Sequence, residues 1–254
     1  MKELSSRKNR ARVVASVAIF AVLYAVLRLI PTFPMIGVSG KAFSLSDIMA
    51  PIYGVILGPL VGPLSVILGT FIAITLGNPV TFLFLDFLPA TLNALVVGLI
   101  LHRRFTSAII LNIIILAAFL TNPLTLIFVN VNLSNQSILL PFHWLHYVAL
   151  AVLISPLSRR AAEWVRGASA ANLAKGLVVV SLIGTMLQHS TGGILFEVIL
   201  GQYLGVVKPE SYLLIWNTVF YIYPIERVVL VILATIVGTP IVRSLKASRL
   251  LYVE

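Results

Sequence analysis

Cysteine is absent, and charge is scarce. Without cysteine the chain has no disulfide, no thiol nucleophile and no thiolate metal ligand. Only 10% of its 254 residues are charged, and 8 acids stand against 18 Lys and Arg. A water-soluble domain of this length needs a much larger charged surface, so that class is excluded. Long polar segments are missing too: no such stretch exceeds about twenty residues, and the whole chain, 1–254, reads as one transmembrane domain. There is no GxxxxGKS/T phosphate loop, no HExxH and no GxSxG motif. What remains is 59% hydrophobic, with a mean hydropathy of +1.06.

The apolar residues fall into eight stretches, at about 13–30, 46–57, 60–76, 81–101, 107–130, 138–157, 173–204 and 212–242. Most reach the roughly 20 residues that cross a hydrocarbon layer. The fold expected is an all-α polytopic bundle of about eight transmembrane helices in the cell membrane. Loop charge tests the count. With both termini cytoplasmic, Lys2, Arg7, Lys8, Arg10, Arg12, Arg103, Arg104, Arg159, Arg160, Arg166, Lys175, Arg243, Lys246 and Arg249 all fall inside, 14 of the 18 basic residues. Merging the second and third stretches would put 102–104 outside, against the positive-inside rule. The formal charge of +10 is then a cytoplasmic collar facing lipid head groups, and no nucleic acid is needed to explain it. The first stretch, after five basic residues, reads as a retained span.

Residues 31–44 form a Gly/Pro-rich outer loop, and Ser46 or Asp47 is placed to cap the helix that follows. VILG at 55–58 and 66–69 brackets GPLVGP, a tight connection suited to a helical hairpin. Residues 158–172 suit a short interfacial helix. Ala11, Ala15, Ala18 and Ala25 share one face of the first helix. Such a face admits a close helix, either of this chain or of a separate subunit.

Ionisable groups inside spans are costly and need a partner or a task. Counted along the spans, Asp86, His143, His146 and Glu197 lie about two turns from the outer surface, His189 near the middle, Trp216, Asn217 and Tyr221 in the outer half, and Glu226 and Arg227 towards the centre. The inner halves are almost purely aliphatic. This asymmetry predicts a solute pocket opening outward. Trp144, Tyr147, Trp216 and Tyr203 also suit an aromatic belt. His143 and His146 share a helix face and could ligate a metal, but no third ligand is indicated, and no metal or cofactor is assigned. Glu226 and Arg227 point about 100° apart, so direct pairing is not expected. Arg227 is expected to neutralise Glu197, Asp86 or Glu226 across the bundle.

Over residues 11–101 and 174–245 the chain resembles the substrate-binding S components of energy-coupling factor (ECF) vitamin transporters. The likeness is carried by the Ala-rich first helix, FSLSDIMAPIYGVILGPLVGPLSVILG, FLFLDFLPATLNALVVGLI, QHSTGGILFE and IWNTVFYIYP. The layout looks like the thiamine-binding branch, whose ligand positions fall here on Asp86, His189, Glu197 and Asn217. Two departures stand out: an apparent inserted helix pair within 105–160, and an acid at 197 where that branch has an aromatic. The resemblance implies a non-enzymatic binding subunit working with a transmembrane coupling subunit and two cytoplasmic ATPases. On this reading Ala11, Ala15 and Ala18 dock the partner. The pocket, built by Asp86, His189, Glu197, Trp216, Asn217, Tyr221, His143, His146 and Arg227, holds a small vitamin-like solute, cationic or rich in donors. Two other readings stay open: a stand-alone proton-coupled transporter, with His189, Glu197, Asp86 and Arg227 as the relay, and an intramembrane enzyme using the same acids and His189.

Overall fold

The computed structural model describes residues 2–133 and 136–248, without the side chains of 2–10, 12, 132 and 133. The basic collar at Lys2, Arg7, Lys8, Arg10, Arg12 and Arg249 therefore lies outside the described side chains. Helix α1 (Lys2–Arg28) leads into a two-stranded hairpin, β1 (Pro31–Pro34) and β2 (Ala42–Ser44), and a short 3-10 turn (Leu45–Ile48). Then come α2 (Met49–Thr75), α3 (Leu88–Leu101) and α4 (Phe105–Leu120). A second hairpin, β3 (Phe128–Leu133) with β4 (Gln136–Pro141), precedes α5 (Trp144–Ile154) and α6 (Pro156–Arg166). Helix α7 (Ala170–Leu195) runs on as a π-helix (Phe196–Tyr203), and α8 (Tyr212–Ala247) closes the bundle.

The helical hairpin expected from GPLVGP is present, inside α2. Gly58 takes φ 75° and ψ −171°, a backbone state that suits glycine, and Pro59 follows it. A Cβ built on Gly62 would lie 2.8 Å from the Tyr53 carbonyl oxygen. In a straight helix, residues nine apart are about 13 Å apart along the axis. The chain therefore doubles back at Gly58 into two arms. Tyr53 anchors the first arm by donating to the Phe20 carbonyl at 2.7 Å, and Gly69 of the second arm brings its backbone against Ala21 of α1. Small residues at these crossings allow the close packing that holds helices together when the surroundings are as apolar as the interface.

Among the described residues three helical stretches are long and apolar enough to cross a membrane: Leu45–Thr75, which contains the reversal, Ala170–Tyr203 and Pro209–Ala247. The outside is correspondingly greasy, with Val14, Ile19, Leu60, Leu214, Ile225 and Ile236 more than 60% exposed. This is the exterior of a membrane-associated helical protein.

Several boundaries differ from the expectation. The fourth helix starts at Leu88 instead of 81, because Pro79 and the left-handed φ of Leu83 (49°) and Phe84 (67°) hold 78–87 as a loop. Residues 128–133 and 136–141 are paired β-strands where the hydropathy suggested helix ends; the run FVNVNL alternates and favours strand. Neither Ser46 nor Asp47 caps a helix. The interfacial segment is helical as expected. Ser155 caps it and Pro156 starts it, Ala161, Ala162 and Val165 are buried, and Arg159, Arg160 and Glu163 face out.

Two cores divide the molecule. An aliphatic one, including Ile52, Ile56, Val97, Ile100, Leu177 and Ile183, surrounds the hairpin tip. An aromatic one, including Phe119, Phe142, Phe196, Tyr212, Trp216 and Tyr223, sits at the end covered by the two β-hairpins.

Candidate functional site

Between the cores and the β1–β2 hairpin lies a cavity of about 150 Å³. On the scale of one water per 10–15 Å³ of such space, it has room for on the order of ten waters. Its charged lining is Arg28, Lys41, Asp47, Asp86, Glu226 and Arg227, joined by Gln188 and His189. Phe43, Phe82, Phe196 and Trp216 supply aromatic surface. The hairpin is fastened down on both sides. Lys41 Nζ donates to the Val80 carbonyl at 2.9 Å, and a Cβ on Gly37 would meet Ile215 at 2.7 Å, so the loop rests directly on α8.

The floor is a buried hydrogen-bond chain across three elements. Asn93 of α3 donates through Nδ2 to Gln188 Oε1 (2.7 Å), and Gln188 Nε2 donates to Asp47 Oδ1 (2.8 Å). Arg28 and Arg227 are the arginines that line the cavity with Asp47. Arg227, 2% exposed, holds only long contacts: Thr185 Oγ1 at 3.4 Å and Glu226 Oε2 at 3.5 Å. Its guanidinium also lies over the Phe43 ring, 5.7 Å from the centroid. The expectation that Glu226 and Arg227 do not pair is corrected here: both side chains bend into the same buried space, and no other carboxylate contacts this guanidinium more closely among the described residues.

Asp86 lines the cavity, but from the loop before α3 and not from within a helix. Its oxygens accept from the backbone N–H groups of Thr81 (2.9 Å) and Phe82 (3.1 Å), which fixes the loop. His189 lines the cavity and stacks on Tyr223; its Nδ1 is 3.0 Å from His146 Nε2. Trp216 presents its ring to the cavity while its Nε1 donates to the Leu124 carbonyl at 3.1 Å.

The other expected residues lie elsewhere. Glu197 is fully buried behind the cavity wall, where the Thr125 hydroxyl contacts both its oxygens at 2.7 and 2.8 Å. Asn217 turns back to the Leu213 carbonyl, and Tyr221 is 54% exposed on the outer face of α8. His143 and His146 belong to the aromatic core. His143 is wedged between Phe119 and Phe142, and neither of its ring nitrogens has a partner among the described residues. Among the described residues no group of three His, Cys, Asp or Glu is placed to hold a metal.

Five polar cavity residues escaped the functional reading of the sequence: Arg28, Lys41, Asp47, Gln188 and Glu226. Asp47 sits in the SD passage, where it reads as a helix cap. Gln188 adjoins His189. Glu226 was visible only as a charge in its span, and Arg28 lies near the end of the first apolar stretch. In comparisons with known proteins, no family model, no curated protein and no solved structure matches this chain.

Proposed function

We propose that this protein is the multi-pass membrane subunit of an ECF-type importer that captures a small vitamin-like solute from outside the cell. The observation that carries the reading is the cavity beneath the β1–β2 hairpin, with charged and aromatic lining, at one end of a bundle whose other end is close-packed aliphatic core. Such a site retains a solute and offers it no path through the same chain. On this reading the chain makes eight crossings, both ends are cytoplasmic and the cavity lies at the outer side. ATP hydrolysis then belongs to partner subunits, reached through a transmembrane coupling subunit.

The alanine stripe of α1 supports docking of that partner. Ala25, at its upper end, is buried with Ala21 against the α2 hairpin, while Ala11, Ala15 and Ala18 stay exposed. Replacing Ala15 or Ala18 by Trp is expected to abolish uptake and copurification of the ATPase pair while leaving solute binding unchanged. Loss of solute binding in the same variants would refute the docking role.

A second reading, a stand-alone proton-coupled transporter, draws on the His146–His189 contact beside the cavity. Uptake by the purified chain alone in vesicles under a pH gradient, without ATP, would establish it and displace the first.

A further inference from the structure

The solute-binding reading leaves open what the cavity recognises, and its own charges bear on this. Three cations (Arg28, Lys41, Arg227) face three carboxylates (Asp47, Asp86, Glu226), so the lining is formally neutral. The carboxylates are already engaged. Both Asp86 oxygens accept backbone N–H groups, Asp47 accepts from Gln188, and Glu226 contacts Arg227. The case for a cationic solute rested on Asp86 and Glu197, and Glu197 is outside the cavity.

The donors are less committed. Among the described residues the Arg28 guanidinium makes one long bond, from Nη2 to the Asp86 backbone carbonyl at 3.5 Å; it also neighbours the Tyr24 hydroxyl, and its buried Nε has no partner. Arg227 Nε is likewise unpartnered. His189 adds a further donor. His146 Nδ1 is buried without a partner, and an unpaired lone pair is cheaper to bury than an unpaired N–H. The proton of His146 therefore belongs on Nε2, which donates to His189 Nδ1. His189 then carries its own proton on Nε2, and that atom makes no bond to the described residues.

We infer that the cavity takes an uncharged, planar, single-ring solute bearing a hydrogen-bond acceptor, such as a carbonyl or an amide, addressed by Arg28 and His189. A net charge would upset the balance of six charges, of which Asp47, Asp86, Glu226 and Arg227 are buried and Arg28 and Lys41 half-buried, whereas an acceptor meets the idle donors and the aromatic walls meet a ring. The inference rests on solute binding, and it does not depend on how transport is powered.

Three probes of nearly one shape isolate charge: nicotinamide (neutral), nicotinate (anionic) and 1-methylnicotinamide (cationic). Each is titrated into the detergent-purified full chain, with thermal stabilisation and equilibrium dialysis as readouts. The neutral probe is expected to bind at least about tenfold tighter than either charged one. Glu226→Gln leaves the lining one positive charge in excess and is expected to shift preference towards nicotinate. Arg28→Gln leaves it one negative charge in excess and is expected to shift preference towards 1-methylnicotinamide. His189→Phe keeps a ring, removes the donor and is expected to weaken nicotinamide binding about tenfold. A charged probe binding best to the unaltered chain, a ranking that neither charge variant moves, or no stabilisation by any of the three would overturn the inference. Failure of the importer reading shows separately, as probe binding with uptake that needs no partner.

Discussion

Gln188→Leu tests the floor of the cavity. Gln188 is 6% exposed and makes two short bonds, accepting from Asn93 at 2.7 Å and donating to Asp47 at 2.8 Å. Leucine nearly preserves volume, so little cavity cost arises. It strands the Asn93 amide, whose Oδ1 already lacks a partner, and takes from Asp47 its side-chain donor. An unsatisfied buried polar group costs about 1–3 kcal/mol, more when it is charged, so the two losses together come to about 4 kcal/mol. At about 2–4 °C per kcal/mol for a chain of this size, Tm should fall by about 8–16 °C. The assay is thermal unfolding of the detergent-purified protein followed by tryptophan fluorescence. The double variant Asn93→Leu/Gln188→Leu should be less destabilised than the sum of its singles, because the first change already removes one bond. A fall under about 2 °C in Gln188→Leu, or additive losses in the double variant, would refute the hydrogen-bond chain as a supporting element.

Gly62→Val places a side chain where a Cβ alone is 2.8 Å from the Tyr53 carbonyl, forcing the hairpin arms apart. Overpacking here should cost at least about 1–3 kcal/mol, read as reduced yield of monodisperse protein and lower Tm; normal yield and Tm would contradict the reversal at Gly58. Thr125→Val removes the hydroxyl that contacts both Glu197 oxygens. It should lower stability by about 2 kcal/mol and leave probe affinity within about twofold, since Glu197 is outside the cavity. A large loss of affinity at unchanged Tm would return Glu197 to the binding site.

Much of the architecture was legible because membrane helices are written in local composition. Runs of apolar residues and GPLVGP announce helices and the hairpin before any contact is known. The polar and aromatic layer at one end was also visible, since polar residues in apolar runs have few harmless positions. What the sequence could not settle was direction. Asp86 and Glu197 look alike as buried acids, yet one caps a loop at the cavity edge and the other is sealed behind the wall by Thr125. Asp86 is fixed by the backbone of Thr81 and Phe82, whereas Glu197 is fixed from the segment 105–160, expected from the sequence as an apparent inserted helix pair; that segment supplies Phe119, the Leu124 carbonyl, Thr125 and His146, which hold Trp216, Glu197 and His189 in place. Arg28, Asp47, Gln188 and Glu226 are far apart in sequence and meet only when α1, the 3-10 turn, α7 and α8 converge. Hydropathy indicates which segments leave water, because that transfer is scored residue by residue. Which side chain faces the cavity is decided by long-range packing, because a rotation of about 100° per residue turns one neighbour inward and the next away.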